Sequence, residues 1–184
     1  MLAPIDVTNI RIETDRLILR PWRESDLADL NEYASVPGVG EMAGWSAHKS
    51  MDESRTILEM FIREKKTLAL ELKETGKVIG SMGLEPCSSV CVWKFWKKGR
   101  EVGYVLSKDY WGRGLMPEAV KAVMNHCFEQ LGYDYLTCAH FMDNRQSRRV
   151  IEKCGFRFLK ESHFDTSFGT RVQTRYYVFY NPKK

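Results

Sequence analysis

The stretch that decides the fold reads Glu101-Val-Gly-Tyr-Val-Leu-Ser-Lys-Asp-Tyr-Trp-Gly-Arg-Gly-Leu-Met-Pro-Glu-Ala-Val120. A β-rich run over residues 100–106 enters a loop over 107–115 that is rich in aromatics and carries Gly112 and Gly114. Pro117 then suits the first turn of a helix, because the N–H it lacks would be unpaired there. Glycines let a backbone approach a ligand closely, and a helix start presents unpaired N–H groups at the positive end of its dipole. Those features hold a pyrophosphate, and Arg113 adds a charge able to reach one. The spacing is neither the dinucleotide fingerprint GxGxxG nor the phosphate loop GxxxxGK[ST]. A tight strand-to-helix turn with glycines for steric reasons is the alternative reading of this passage alone.

Working outward, the helix runs to about residue 131, where Gly132 ends it. A strand follows over 135–141, a short helix over 146–154 stopped by Gly155, and two strands over 156–164 and 171–180. Upstream, an opening strand is expected over 10–20 with Leu17 and Leu19 on one face, closed by Pro21. Ser25 can cap a helix with Leu27, Leu30 and Ala34 on one face, stopped by Val36-Pro37-Gly38. Ser50 and Glu53 form a capping box for a second helix with an apolar stripe of Ile57, Leu58, Phe61 and Ile62. Strands over 67–73 and 77–84 make a hairpin at Thr75-Gly76, and 85–99 reads as irregular. This order predicts an α/β fold on a mixed sheet, with a right-handed parallel crossover from residue 100 to 141.

Composition narrows the function classes. The 184 residues, 43% hydrophobic and 28% charged, suit one domain spanning 1–184, with no repeat or linker. No apolar run approaches the roughly 20 residues that cross a bilayer, so no membrane partner is expected. Nor does the start resemble a secretory signal, which gives a cytoplasmic expectation. Cys87, Cys91, Cys127, Cys138 and Cys154 are odd in number and irregular in spacing, which fits reduced thiols. Cys87 and Cys91 lack two further clustered ligands, so no metal is expected. A net charge of +4 is too small for nucleic acid without a concentrated patch. The densest patch, residues 94–100, reads as a solvated hairpin with its aromatics turned inward.

A second motif follows the 135–141 strand: Asp143-Asn144-Arg-Gln-Ser147-Arg-Arg-Val-Ile-Glu152-Lys153-Cys-Gly155-Phe156. Trp-Gly-Arg-Gly with Glu-Ala, then Asn-x-x-Ser-x-x-Val-x-Glu-Lys-x-Gly-Phe, resembles the acetyl-CoA-binding motifs of the GNAT acetyltransferases. The opening Glu13-Thr-Asp-Arg-Leu-Ile-Leu-Arg-Pro21, with Gly44-Trp45 and His48-Lys49-Ser50, is similar to the RimJ/RimL-like branch. The resemblance spans nearly the whole chain. It implies a central sheet of about six to seven strands flanked by about four helices.

It also implies roles. Backbone amides of Trp111, Gly112, Arg113, Gly114, Leu115 and Met116 would bind the CoA pyrophosphate. Met116 departs from the small residue usual there, so its side chain must point away. Tyr104, Val105 and Leu106 would pair with the pantetheine arm like an added strand, and an amide of Val105 or Leu106 would polarise the thioester carbonyl. Asn144 would bond the pantetheine arm, and it also suits a helix cap. A protonated amine cannot attack a thioester, so a base must take its proton. Glu101 and Glu85 are the candidates, with His140 a third. The tyrosine that many GNAT enzymes use to protonate the leaving thiolate is replaced by Ile151, and Ser147 is the position where RimL-like relatives carry a serine proposed as the acid. Glu118 is expected to serve its own helix start.

The resemblance thus implies an N-acetyltransferase with acetyl-CoA as cosubstrate. Its acceptor would be the N-terminal α-amine of a protein or peptide. A small amine (an aminoglycoside, polyamine or amino-acid derivative) and a non-catalytic CoA-binding module are the alternatives. Residues 36–50, 85–99 and 162–170 should build the acceptor site, offering Glu41, Trp45, His48, Trp93 and Trp96. A homodimer is possible in this family, and Tyr176 to Tyr180 could form an interface or belong to the core.

Overall fold

A computed structural model describes residues 4–87 and 97–184. Eight strands form one mixed sheet in the order β1-β2-β3-β4-β5-β6-β8-β7. They are β1 (Ile12–Glu13), β2 (Leu17–Pro21), β3 (Thr67–Leu72), β4 (Val78–Pro86), β5 (Gly99–Leu106), β6 (Tyr135–Phe141), β7 (Arg157–Asp165) and β8 (Arg171–Tyr180). Four helices accompany them: α1 (Leu27–Ala34), α2 (Met51–Glu64), α3 (Leu115–Glu129) and α4 (Arg145–Lys153). Residues 88–96, including Cys91, Trp93, Trp96 and most of the basic–aromatic patch, lie outside the described residues.

Alternation along the strands sends side chains to two cores. On one face Leu17, Leu70, Met82, Val102 and Leu136 pack against Ala119, Val120 and Val123 of α3 and Ile151 of α4. On the other, Ala69 and Val78 pack against Leu30 and Tyr33 of α1 and Leu58 of α2. Each wholly buried aliphatic side chain contributes about 1.5–3 kcal/mol, so the two layers hold the sheet rigid between them.

The strand count exceeds the expected six to seven because the opening strand is broken. Thr14 Oγ1 accepts the Leu17 amide at 2.9 Å, and this side-chain turn splits residues 10–20 into β1 and β2. Ser25 does not cap α1. A single 3₁₀ turn, Glu24–Asp26, precedes the helix, and Asp26 is drawn instead to Arg20. Arg20, which alternates against Leu17 and Leu19, is only 3% exposed: Asp26 accepts both terminal guanidinium nitrogens at 2.8 Å, and Glu71 accepts Nε. Those bonds hold the Arg20 charge in place despite burial. Half of the expected capping box forms on α2. Ser50 accepts the Glu53 amide at 3.1 Å, while the Glu53 carboxylate takes the Lys49 amide rather than that of Ser50.

One feature of the sheet creates the site. β5 and β6 are parallel, but their pairing runs only from Gly99↔Tyr135 to Val102↔Cys138. Beyond that the two strands part, and a cleft of about 500 Å³ opens between them.

Candidate active site

The register of β4 against β5 says which backbone groups face the cleft. Ser107 donates to the Ile79 carbonyl at 2.8 Å, so hydrogen-bonded pairs alternate back along β5 at Val105, Gly103 and Glu101. Tyr104 and Leu106 therefore turn their backbone groups the other way, to the side that β6 has left. Of the two amides expected to polarise a carbonyl, that of Leu106 faces the cleft, whereas that of Val105 belongs to the β4 ladder. The Leu106 carbonyl accepts the Trp111 indole N–H at 2.8 Å, which pins the glycine loop to the end of the strand.

In that loop, Gly112 and Gly114 have φ of +77° and +76°. A Cβ at Gly112 would meet nothing within 4 Å, and one at Gly114 only Arg16 at 3.6 Å. Conformation, not crowding, demands glycine here. Outside the helices, no backbone bond among the described residues uses the amides of residues 112–116. Leu115 and Met116, in the first turn of α3, also lack intrahelical partners for their amides. The loop is thus a set of unpaired donors at a helix start, the chemistry that an anionic phosphate requires. Met116 is 4% exposed and packs into the core, so its side chain does point away from the loop. Arg113 lies over the Tyr110 ring at 5.0 Å.

Glu118 does not serve its own helix start. Its carboxylate accepts from the Thr14 hydroxyl at 2.5 Å, the Arg16 amide at 3.0 Å and Arg16 Nε at 2.7 Å. Burial opposes its charge, yet those bonds and the Arg16 cation together hold its pKa below the usual range.

On the α4 side, Asn144 caps the helix through Oδ1, which accepts the Ser147 amide at 3.0 Å. Its Nδ2 reaches the Met42 carbonyl at 3.3 Å, joining α4 to the turn over Glu41–Ala43. Ser147 lines the cleft, and its Oγ lies 2.9 Å from the Tyr104 hydroxyl. Tyr104 was expected to act through its backbone only, so the reach of its side chain to α4 is new. Arg149 and Lys153, one helical turn apart on α4, also line the cleft. Their i, i+4 spacing was the overlooked signal.

On the other face, Glu85 and Glu101 stand directly opposite each other across β4 and β5. Both line the cleft, with Val39, Met42, Ala43 and Phe164 as its apolar wall. Lys66 pairs with Glu85 at 2.9 Å. His140 is buried, and both its ring nitrogens are engaged, by the Phe141 carbonyl at 2.8 Å and the Tyr177 hydroxyl at 3.1 Å. A carbonyl only accepts, so Nδ1 donates to Phe141. Its ring is thereby held on the wall of the cleft. Three expected acceptor-site residues are structural. Trp45 stacks near His48 at 5.2 Å, His48 bonds Ser54 Oγ at 2.8 Å, and Glu41 accepts the Gly38 amide at 2.7 Å. Cys87 faces Thr137 at 3.9 Å.

Residues 16–157 match the family model of the acetyltransferase (GNAT) domain. The chain belongs to the GNAT acetyltransferases. It is an N-acetyltransferase, and acetyl-CoA is the acyl donor of its family. The acetyltransferase is 25% identical over 181 residues to the uncharacterized N-acetyltransferase YoaA of Bacillus subtilis, covering 94% of this chain and 98% of the relative. Its fold is similar to that of the ribosomal-protein-S5-alanine acetyltransferase of Vibrio fischeri, with a TM-score of 0.72 and 18% identity over 94% and 97% of the two chains. It is also similar to the microcin C7 self-immunity acetyltransferase MccE, solved with acetyl-CoA and AMP. There the TM-score is 0.75 at 16% identity, over 91% and 93% of the chains. No helix among the described residues is long and apolar enough to cross a membrane.

Proposed function

We propose that the acetyltransferase acts on the N-terminal α-amine of a protein or peptide, with Glu101 as the base and Ser147 as the acid. The observation that carries this reading is the composition of the cleft on the β4 side. One opposed carboxylate pair, Glu85 and Glu101, sits against an apolar wall of Val39, Met42, Ala43 and Phe164. A single amine followed by a neutral backbone and a side chain fits such a wall better than an aminoglycoside with many charges. The fold shared with a ribosomal-protein acetyltransferase points the same way.

The chemistry follows from the residues present. Glu101 takes the proton that keeps the amine from attacking. Glu85 is engaged by Lys66, so its part is to hold the cationic acceptor nearby. The Leu106 amide faces the cleft and stabilises the oxyanion as the amine adds to the thioester. The amides of residues 112–116, Arg113, Arg149 and Lys153 bind the CoA phosphates. When the C–S bond breaks, its electron pair goes to sulfur, and Ser147 gives that sulfur a proton.

The opposed carboxylates favour one second reading, a small diamine or polyamine. Free thiol released from acetyl-CoA with a panel of N-terminal peptides, polyamines and aminoglycosides separates the two. The free Cys127, Cys138 and Cys154 support a reducing compartment, and we place the reaction in the cytoplasm.

A further inference from the structure

A serine hydroxyl is a poor acid, and nothing at the usual donor position of α4 assists it, because Ile151 there is apolar and fully buried. The help comes from the opposite strand. Tyr104 extends from β5 beneath α4 and places its hydroxyl 2.9 Å from Ser147 Oγ and 3.2 Å from the Ser147 carbonyl. Both residues line the cleft. The phenol comes from a strand residue, Tyr104 of β5, rather than from α4 itself.

We propose that Tyr104 is a positioning and proton-relay residue for thiolate protonation, acting through Ser147. This rests on the assignment of Ser147 as the acid. In the relay, the departing sulfur takes the proton of Ser147 Oγ, and Ser147 Oγ takes that of the Tyr104 hydroxyl. The phenolate then recovers a proton from water after the products leave. No oxidant or second reactant is needed, and the O–H bonds broken and formed balance. A phenol is intrinsically a stronger acid than an aliphatic alcohol, an advantage that burial reduces at Tyr104.

The surroundings keep the donor loaded. Burial, with Cys138 and Cys154 nearby, pushes the Tyr104 phenol well above its ordinary value. Cys138 on β6 and Cys154 at the end of α4 are themselves pushed up by burial, Cys154 to about 11, so neither is a thiolate at neutral pH. From β4, Met82 opposes Tyr104 and carries no charge. Tyr104 is therefore protonated across the working range, and its hydroxyl is oriented by the two oxygens of Ser147.

The test compares Tyr104→Phe, Ser147→Ala and the double variant, with steady-state kinetics and thermal melting for each. The relay predicts that Tyr104→Phe lowers kcat by roughly 100-fold with the KM for acetyl-CoA unchanged, the lower end of a general-acid contribution. It also predicts that the double variant is no worse than Ser147→Ala alone. Incorporating 3,5-difluorotyrosine at 104 keeps the shape and makes the hydroxyl more acidic, so the alkaline limb of kcat should move to lower pH. A melting loss with additive effects and an unmoved limb would make Tyr104 structural and overturn the relay. Loss in Ser147→Ala without loss in Tyr104→Phe overturns the relay and leaves the Ser147 assignment standing. Full activity in Ser147→Ala overturns both.

Discussion

Arg16, in the turn between β1 and β2, clasps Glu118 on α3 at 2.6 Å while its Nη1 takes the Arg113 carbonyl of the glycine loop at 2.9 Å. The turn between β1 and β2 thus braces the phosphate loop from outside, about a hundred residues away in sequence. Glu118→Gln keeps the shape and removes the charge. It should raise the KM for acetyl-CoA several-fold with little change in kcat, and cost about 1 kcal/mol, since Arg16 is half-exposed. The folded pKa of Glu118 is depressed, so its contribution is full above about pH 4.3 and is lost as pH falls towards the folded value. A denaturant titration at pH 7 and pH 3.5 checks this: the gap between wild type and variant should narrow at the lower pH.

Gly112 and Gly114 differ from the other loop residues in needing positive φ. Gly112→Ala meets no neighbouring atom, so its whole effect is conformational. It should destabilise by about 1–2 kcal/mol or shift the loop. In either case the acetyl-CoA KM rises while the amine KM does not. Calorimetric binding of acetyl-CoA to the variant reads this directly; unchanged affinity would mean that the loop amides do not hold the phosphates.

Glu101 and Glu85 stand opposite each other on adjacent strands, and Glu85 is paired with Lys66. With Glu101 as the proposed base, Glu101→Gln should lower kcat at neutral pH by about 100-fold or more, as loss of a general base does. Glu85→Gln should cost less than tenfold in kcat and act mainly on the amine KM. A larger kcat loss in Glu85→Gln would reverse the assignment.

How much of this was legible in the sequence depends on range. The glycine loop, α3, the Asn144 cap and the hairpin at Gly76 are written in neighbouring residues, because φ > 0, helix starts and turns are local demands. Residues 135–141 and 171–180 alternate clearly enough that both strands fall as expected. What escaped was long-range or contrary to pattern. The burial of Arg20 was not legible, because alternation cannot reveal a carboxylate that folds back to meet it. The contact of the Tyr104 side chain with Ser147 depends on how β5 and α4 meet in the fold, which no spacing within either element discloses. Trp45 and His48 looked like acceptor residues because an aromatic and an imidazole suit both a binding wall and a core seam. Here they hold α1, α2 and the 41–43 turn together.

His48 also carries a pH prediction. It is buried between Trp45 and Ser54, and burial holds its pKa below the usual imidazole range, against a smaller pull upward from Glu53. His126 is lowered by burial as well. Both are depressed in the folded chain, so the unfolded chain binds more protons below about pH 6.5. Stability is therefore full above that pH and falls as the solution is acidified towards the folded values. Urea midpoints should drop between pH 7.5 and pH 5.5, and His48→Gln with His126→Gln should flatten that drop. A profile as steep in the double variant as in wild type would assign the effect elsewhere.

The central claim is transfer of an acetyl group to an α-amine, and one assay tests it most directly. Thiol release from acetyl-CoA is followed with a short peptide bearing a free N-terminus and with the same peptide blocked at that end. We predict saturable release with the free peptide, one acetyl group recovered on its α-nitrogen, and only background with the blocked one. Equal release from both peptides, or release with a polyamine but neither peptide, would contradict the claim.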